Sequence, residues 1–243
     1  IEERPFRAPH HLISPSELVD GGATPRPGEI TLAHHGVLFL DELSEFNRNA
    51  LEALRQPMED GRIVVARAQR VLCFPTRAML VAASNPCPCG TGGDACRCSG
   101  PELDRHRRRL SGPLLDRIDL SVTVGRPTAR QLRDDGAPTS AVVRARVTAA
   151  RERQTLRLRG TPATCNADMT PAMLRELALI TPSARRRLFE LHDAEGLSAR
   201  GHHRVLRVAR TIADLQESRE VGPEHITAAL TLRTDPAQSA LAA

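Results

Sequence analysis

The stretch Gly36-Val37-Leu38-Phe39-Leu40-Asp41-Glu42 constrains this chain more than any other. Four consecutive apolar residues, opened by a glycine and closed by two adjacent carboxylates, read as a strand buried on both faces. Acidic side chains are rarely buried without a partner, so the pair at the strand's end needs a cation or an exit to solvent. In open α/β sheets ligands sit beyond the carboxyl ends of the strands, where Asp41 and Glu42 would lie. A magnesium ion with a bound nucleotide fits that placement, one carboxylate holding the metal's water shell and the next polarising the attacking water. A buried strand running into an acidic loop or helix cap fits the same seven residues equally well.

A chain of 243 residues can bury a substantial core in one or two domains. Its 40% hydrophobic and 26% charged residues are those of a soluble globular protein. No apolar run approaches membrane-spanning length, and Ile1-Glu2-Glu3-Arg4 is no signal peptide, so a cytoplasmic setting with no membrane partner is expected. The absence of an initiator Met is what a piece of a longer chain would show. The net charge of +5 permits a polyanionic partner without requiring one. Trp and Tyr are absent and there are five Phe, which leaves few rings to stack on bases.

Residues 1–35 are dense in Pro, Gly and His, which leaves room only for short strands around Leu12-Ile13 and Glu29 to Leu32. His10, His11, His34 and His35 read as surface or capping histidines, since no Cys or acid cluster has ligand spacing beside them. After the acidic pair Asn47 is a helix cap, Pro57 bends or shortens the helix, and Asp60-Gly61 ends it. Arg62-Ile63-Val64-Val65 and Arg70-Val71-Leu72-Cys73-Phe74 predict a hairpin whose tip carries Arg67 and Arg70. Ala78-Met79-Leu80-Val81-Ala82-Ala83 predicts a second fully buried strand, running into Ser84-Asn85-Pro86. Two such strands ending in polar groups point to a parallel sheet with a site at its edge.

Cys87-Pro88-Cys89 and Cys96-Arg97-Cys98 put four thiols within a dozen residues, in a loop loosened by Gly90, Gly92 and Gly93. Four thiolates can close a tetrahedral zinc site and staple a loop with no core of its own, although the spacing is C-x-C rather than the usual C-x-x-C. Free thiols are the alternative. A catalytic thiol is not indicated, because no base lies nearby in sequence. The run Arg105-His106-Arg107-Arg108-Arg109 reads as a solvated helix face, with a phosphate or subunit contact as the other reading. Leu120-Ser121-Val122-Thr123-Val124 predicts a further strand. Residues 126–138 look like a linker, and beyond it the pattern is helical throughout. Ser140, Thr170-Pro171 and Thr181-Pro182 open helices, Ser198 opens another carrying the stripe Val205, Val208, Ala209, Ile212 and Leu215, and Pro223 opens a short last one.

The ordered set of strand-Asp-Glu, hairpin, strand-Ser-Asn, Leu114-Leu115-Asp116-Arg117 and a helical domain with Leu197-Ser198-Ala199-Arg200 resembles the magnesium-chelatase-like branch of AAA+ ATPases, the ComM/YifB family. The matching stretches include Arg4-Pro5-Phe6-Arg7-Ala8-Pro9-His10-His11, Pro27-Gly28-Glu29-Ile30, Leu32-Ala33-His34, residues 36–43 and 111–120, and Val208 to Asp214. The resemblance implies an AAA+ parallel sheet over residues 1–125, incomplete at its N-terminus, the linker 126–138, a helical lid over 139–235 and a tail at 236–243. It also implies ATP and magnesium as cofactors, with Asp41 and Glu42 as the Walker B acids, Asp41 on magnesium and Glu42 orienting the lytic water. Asn85 then resembles sensor 1 and Arg200 resembles sensor 2, with Arg204 as the fallback. Arg117 resembles the arginine finger that reaches a neighbouring subunit in a homo-hexamer. The pre-sensor hairpin lines the pore in related ring motors, which makes Arg67 and Arg70 candidate DNA contacts.

The phosphate loop G-x-x-x-x-G-K-[ST] is not in these residues. Family members carry it upstream, so the expectation is that this stretch alone binds ATP weakly and does not turn it over. The leading functional expectation is the C-terminal part of a ring motor that works on DNA, as in branch migration during uptake or recombination. A motor subunit serving a metal-inserting partner enzyme is the alternative within the family, and a non-catalytic zinc-stapled interaction module is the alternative outside it.

Overall fold

The computed structural model describes residues 3–19, 26–67, 70–109, 114, 117–125, 127–129, 133 and 136–233, without the side chains of Ala66, Arg67, Arg70 and Asp94. The hairpin tip at 68–69, the approach to Arg117 at 110–113 and 115–116, several linker positions and the tail at 236–243 lie outside the described residues. The chain divides into two compact units, Ile1–Ile118 and Asp119–Ala243. The 126–138 linker and the helices beyond it all belong to the second unit.

The first unit is built on three parallel strands in the order β1-β2-β5: β1 (Phe6–Arg7), β2 (Val37–Leu40) and β5 (Met79–Ala82). The register sets Phe6 against Val37, and Leu40 against Ala82. Gly36 opens β2 because the Pro5 carbonyl, which accepts the Val37 N–H at 2.8 Å, occupies the space a Cβ would need. Between β1 and β2 lie α1 (Pro15–Val19) and α2 (Glu29–Leu32). After β2 come a 3₁₀ turn (Leu43–Glu45), α3 (Arg48–Ala53) and α4 (Arg55–Asp60). The Asn47 side chain caps α3 by accepting the Asn49 N–H, and Gly61, at φ 63°, ends α4 in the left-handed region. The hairpin β3 (Arg62–Arg67) and β4 (Arg70–Pro75) pairs antiparallel, with Arg67 opposite Arg70. Leu18, Leu38, Leu40, Leu51, Leu54 and Leu114 are fully buried in one cluster. Each such leucine contributes about 1.5–3 kcal/mol over an exposed one.

Three expectations are corrected here. Glu29 to Leu32 is a helical turn rather than a strand, because the Gly28 carbonyl accepts the N–H groups of both Thr31 and Leu32; the strand of this region is Phe6–Arg7, and Leu12-Ile13 is not in a strand. Neither apolar strand is buried on both faces. In β2 only Leu38 and Leu40 are sealed, and in β5 Met79 is 60% and Val81 39% exposed, since the helices cover a single face. Leu120 to Val124 belongs to no strand or ladder among the described residues. Leu120, Val122 and Val124 stay exposed, because alternating apolar residues can bury nothing without a neighbouring strand.

The second unit is helical: α6 (Ser140–Arg157), α7 (Pro171–Leu177), α8 (Pro182–Ala194), α9 (Ala199–Leu215) and α10 (Pro223–Thr231), numbered after α5 of the first unit (Gly100–Arg109). Thr139, not Ser140, caps α6, accepting the Val142 N–H. Thr170, Thr181 and Ser198 cap their helices in the same way. Met169, Leu174, Leu188, Val205, Ala209 and Ile226 form the apolar centre. Through it runs a buried polar network. Asp214 takes two nitrogens of Arg157 (2.8 and 2.5 Å), one of Arg210 (3.0 Å) and the amide of Asn166 (2.8 Å). Arg210, fully buried, also donates to the carbonyls of Arg219 (2.8 Å) and Ser218 (2.6 Å), tying α9 to the turn that follows it. Burial pushes the Arg210 guanidinium down and the Asp214 charge opposes that shift. Arg210 and Asp214 of the 208–214 stretch are thus structural residues. Removing one member of such a network strands the others, so Asp214→Ala should cost the unit about 3–5 kcal/mol, read as a lowered urea midpoint; an unmoved midpoint would refute the role.

Candidate functional site

The site is set by the end of one ladder. Past the last aligned pair, Leu40 and Ala82, the Ala83 N–H donates to the Leu40 carbonyl (2.9 Å) and the Leu43 N–H donates to the Ala83 carbonyl (2.8 Å). Asp41 and Glu42 therefore leave β2 at the same sheet edge at which Ser84 and Asn85 leave β5. All four are exposed. The Glu42 N–H donates to Asp41 Oδ1 (2.8 Å), which orients one carboxylate by the backbone of the other. Exposed, hard carboxylate oxygens at a parallel strand's carboxyl end fit a magnesium ion.

Glu42 sits at φ 51°, ψ 46°, a left-handed conformation that costs a non-glycine residue about 1–3 kcal/mol. The turn sends its side chain to His11, whose Nδ1 lies 3.0 Å from Glu42 Oε2. His11 is held by stacking on His10 (ring centroids 4.1 Å apart) and by the edge of Phe46. Arg7 pairs with both oxygens of Glu29 at 2.7 Å, clamping β1 to α2. The Arg-Pro-Phe-Arg-Ala-Pro-His-His stretch thus holds a two-residue strand, and the residues after it deliver a histidine to the second acid. His34 instead accepts the Arg77 N–H on Nδ1 (3.1 Å).

Two other residues converge on this end of the sheet from α5. His106, buried, donates from Nε2 to the Asn85 carbonyl (3.0 Å). Arg109 Nη1 donates to the Ser44 carbonyl (3.3 Å) and to Glu45 (3.0 Å) in the turn after the acids. The rest of the basic run is exposed.

Between Asn85 and α5 lies the cysteine loop. One Sγ from each of Cys87, Cys89, Cys96 and Cys98 lies within 4.8 Å of the other three, and no other cluster of that kind occurs among the described residues. The separations are 3.3 Å for Cys87–Cys89, 3.5 Å for Cys87–Cys96 and 3.8 Å for Cys89–Cys96. A disulfide is shorter by far, whereas a tetrahedron with zinc–sulfur bonds of about 2.3 Å has edges of roughly 3.8 Å. The Gly92 N–H donates to Cys87 Sγ (3.3 Å) and the Cys98 N–H to Cys96 Sγ (3.5 Å). The backbone N–H groups of Arg97 and Thr91 hold the Cys89 thiol down to about 5, while burial pushes the Cys98 thiol up to about 12. A cation among the four sulfurs would relieve that conflict.

Arg117 is not brought to this edge. It pairs with Glu59 of α4 at 2.5 Å, beside a recess that also includes Glu52, Arg55 and Asp60. The end of α4 joins the chain entering β5, since the Thr76 N–H donates to the Gly61 carbonyl (2.9 Å); this is the opposite end of that strand from Asn85. The Arg117 side chain remains 16% exposed, so it is not sealed in the core of its own chain. In the second unit Arg200 is exposed in the first turn of α9, and Arg204 pairs with Asp119 at 3.3 Å. Arg67 and Arg70 are the last register pair of the hairpin. Sequence reasoning missed His11, His106 and Arg109 as neighbours of the site. The only signal for them was their place in a matched stretch or a charge run.

The sequence profile described as magnesium chelatase, subunit ChlI, matches residues 1–132, and that of the subunit's C-terminal part matches residues 137–233. Competence protein ComM of Haemophilus influenzae is 44% identical over 235 residues, 96% of this chain and 45% of that protein. The protein YifB of Escherichia coli is 43% identical over 95% of this chain and 46% of its own length. The magnesium-chelatase 38 kDa subunit of Acidiphilium rubrum is 28% identical over 93% of this chain and 61% of its own. The chain thus spans about half the length of ComM and YifB.

His11 and Glu42 are a partly exposed pair of the kind worth about 0.2–1 kcal/mol. His11→Ala should therefore barely move the urea midpoint. A large loss of stability would make His11 an anchor of the fold instead of a partner of Glu42.

Proposed function

The chain belongs to the magnesium-chelatase family, and from that premise we propose that it is the C-terminal part of an AAA+ ring motor that hydrolyses ATP and acts on DNA in the cytoplasm. The observation that carries this reading is the juxtaposition of Asp41 and Glu42 with Asn85 across the β2–β5 ladder. Asp41 is the residue to hold magnesium, which when bound neutralises phosphate charge. Glu42 orients the attacking water once it turns from His11. Asn85 binds the terminal phosphate or that water through its side-chain amide, its backbone carbonyl being already taken by His106. A side chain held by the backbone rather than by its own polar atoms is free to do so.

Arg117 acts in trans on the neighbouring protomer of a homo-hexamer. Its position away from its own acids supports this, and Glu59 holds the guanidinium in place through an ion pair that a more negative phosphate can displace. Arg200, exposed in the first turn of α9, is the lid's contact with nucleotide, and Arg204, paired with Asp119, is the fallback. Zinc in the four thiols is the second metal. DNA as substrate is supported by the positive balance, by the arginine pair closing the hairpin and by the similarity to a competence protein. The reading as a metal-inserting enzyme's motor has weaker support, since that relative is only 28% identical. No helix among the described residues is long and apolar enough to cross a membrane.

In the full-length protein, Glu42→Gln should retain ATP while kcat falls by at least about 100-fold. Arg117→Ala should be equally inactive alone, and mixing the two variants should restore part of the turnover, because intact acids then meet intact arginines. No recovery on mixing would rule out action in trans. Arg67→Glu with Arg70→Glu should weaken single-stranded DNA binding across sequences. The slope of log affinity against log salt should fall by about one for each phosphate the hairpin no longer neutralises. Unchanged binding would remove DNA from the hairpin.

A further inference from the structure

We propose that the four-cysteine centre is a zinc-held strut whose task is to position Asn85, with His106 as the link between them. The proposal rests on the reading of Asn85 as a residue that senses nucleotide. The cluster is flanked closely on both sides. Asn85 lies two residues before Cys87, and α5 begins two residues after Cys98. From α5, His106 returns to the carbonyl of Asn85. The segment from Asn85 to His106 is therefore a ring, closed at one point by a single hydrogen bond and across its waist by the sulfur cluster.

Little else holds this ring. Gly90, Gly92 and Gly93 all have positive φ, which suits a loop wrapped tightly around a centre and leaves it loose without one. Of residues 86–99 only Cys87 is an apolar buried residue, and it belongs to neither of the two hydrophobic clusters. The start of α5 is set by the same loop: the Ser99 carbonyl accepts the Leu103 N–H, and the Glu102 carboxylate turns back onto the Ser99 N–H (2.7 Å) and hydroxyl (2.8 Å). With the sulfurs joined through one ion, α5 has a fixed starting point, and both His106 and Arg109 are aimed at the sheet edge. Without the ion the loop has no apolar core to hold it, and the aim of α5 is lost. An all-sulfur tetrahedral site selects zinc or iron, and a role confined to geometry calls for the ion with no redox chemistry.

The test uses the full-length protein, purified anaerobically. Elemental analysis should find one zinc per chain, and Cys96→Ser with Cys98→Ser should lose it. Because that variant could fail to fold, the decisive measurement is made on the unaltered protein: hydrogen exchange before chelation, after it, and after zinc is restored. Exchange at residues 83, 90–98 and 102–109 should rise about tenfold or more on chelation, while residues 37–40 stay protected, and zinc should reverse it. His106→Ala should keep its zinc yet lose protection at Ala83, whose N–H closes the ladder beside Asn85, and lower kcat with little change in KM. His106→Gln, whose amide N–H can reach the same carbonyl, should restore both. Absence of metal, iron in its place, or exchange at Ala83 indifferent to chelation and to His106→Ala would overturn the proposal. Metal content and exchange are read without nucleotide, so a protein that passes them but hydrolyses no ATP would retire the motor reading alone.

Discussion

The parallel pairing of β2 with β5 is the constraint on which the first unit depends. Its last bonds, between Leu40, Ala83 and Leu43, bring two carboxylates and an asparagine from segments some forty residues apart to a common edge. A slip of one residue would turn Leu38 and Leu40 out of the core and Val37 and Phe39 into it. Burial of the two leucines therefore fixes where Asp41 stands relative to Asn85. Gly36 belongs to the same constraint, because the close approach of Pro5 that starts the register excludes any side chain there.

Around this edge the chain places groups that act on backbone atoms and leave side chains available. His106 occupies the Asn85 carbonyl and Arg109 the Ser44 carbonyl, so that the loops carrying the polar side chains are held without using them. Glu42 is the exception. Its left-handed backbone and its pairing with His11 hold the carboxylate to one side, at a cost borne by the surrounding ladder. The second unit uses charge in the opposite sense. Arg157 and Arg210 both donate to Asp214 in the interior and fix how α6 and α9 meet.

Much of this was legible in order along the chain. Asn47, Thr170 and Thr181 cap helices because a short hydroxyl or amide before a helical pattern has an orphan N–H to satisfy, and that logic is local. The hairpin was legible for the same reason: alternation and a tight turn are properties of neighbours. Glu29 to Leu32 misled because four apolar-rich residues carry no period long enough to separate strand from helical turn. Leu120 to Val124 misled because a strand is a property of two segments, and the pattern reports only one. The uncovered face of β5 could not be read either, since an apolar run shows what could be buried and not whether anything covers it.

The sequence by itself determined the acids at a strand end, the thiols in a glycine-loosened loop, the helical second half and the family to which they belong, because each rests on residue type and short spacing. Only the tertiary structure decided that His11 meets Glu42, that His106 closes on Asn85, that four sulfurs gather within 4.8 Å of one another, and that Arg117 stands with Glu59 away from its own acids. Those are contacts between segments distant in the chain. They follow from strand register and helix packing, which no stretch of residues encodes alone.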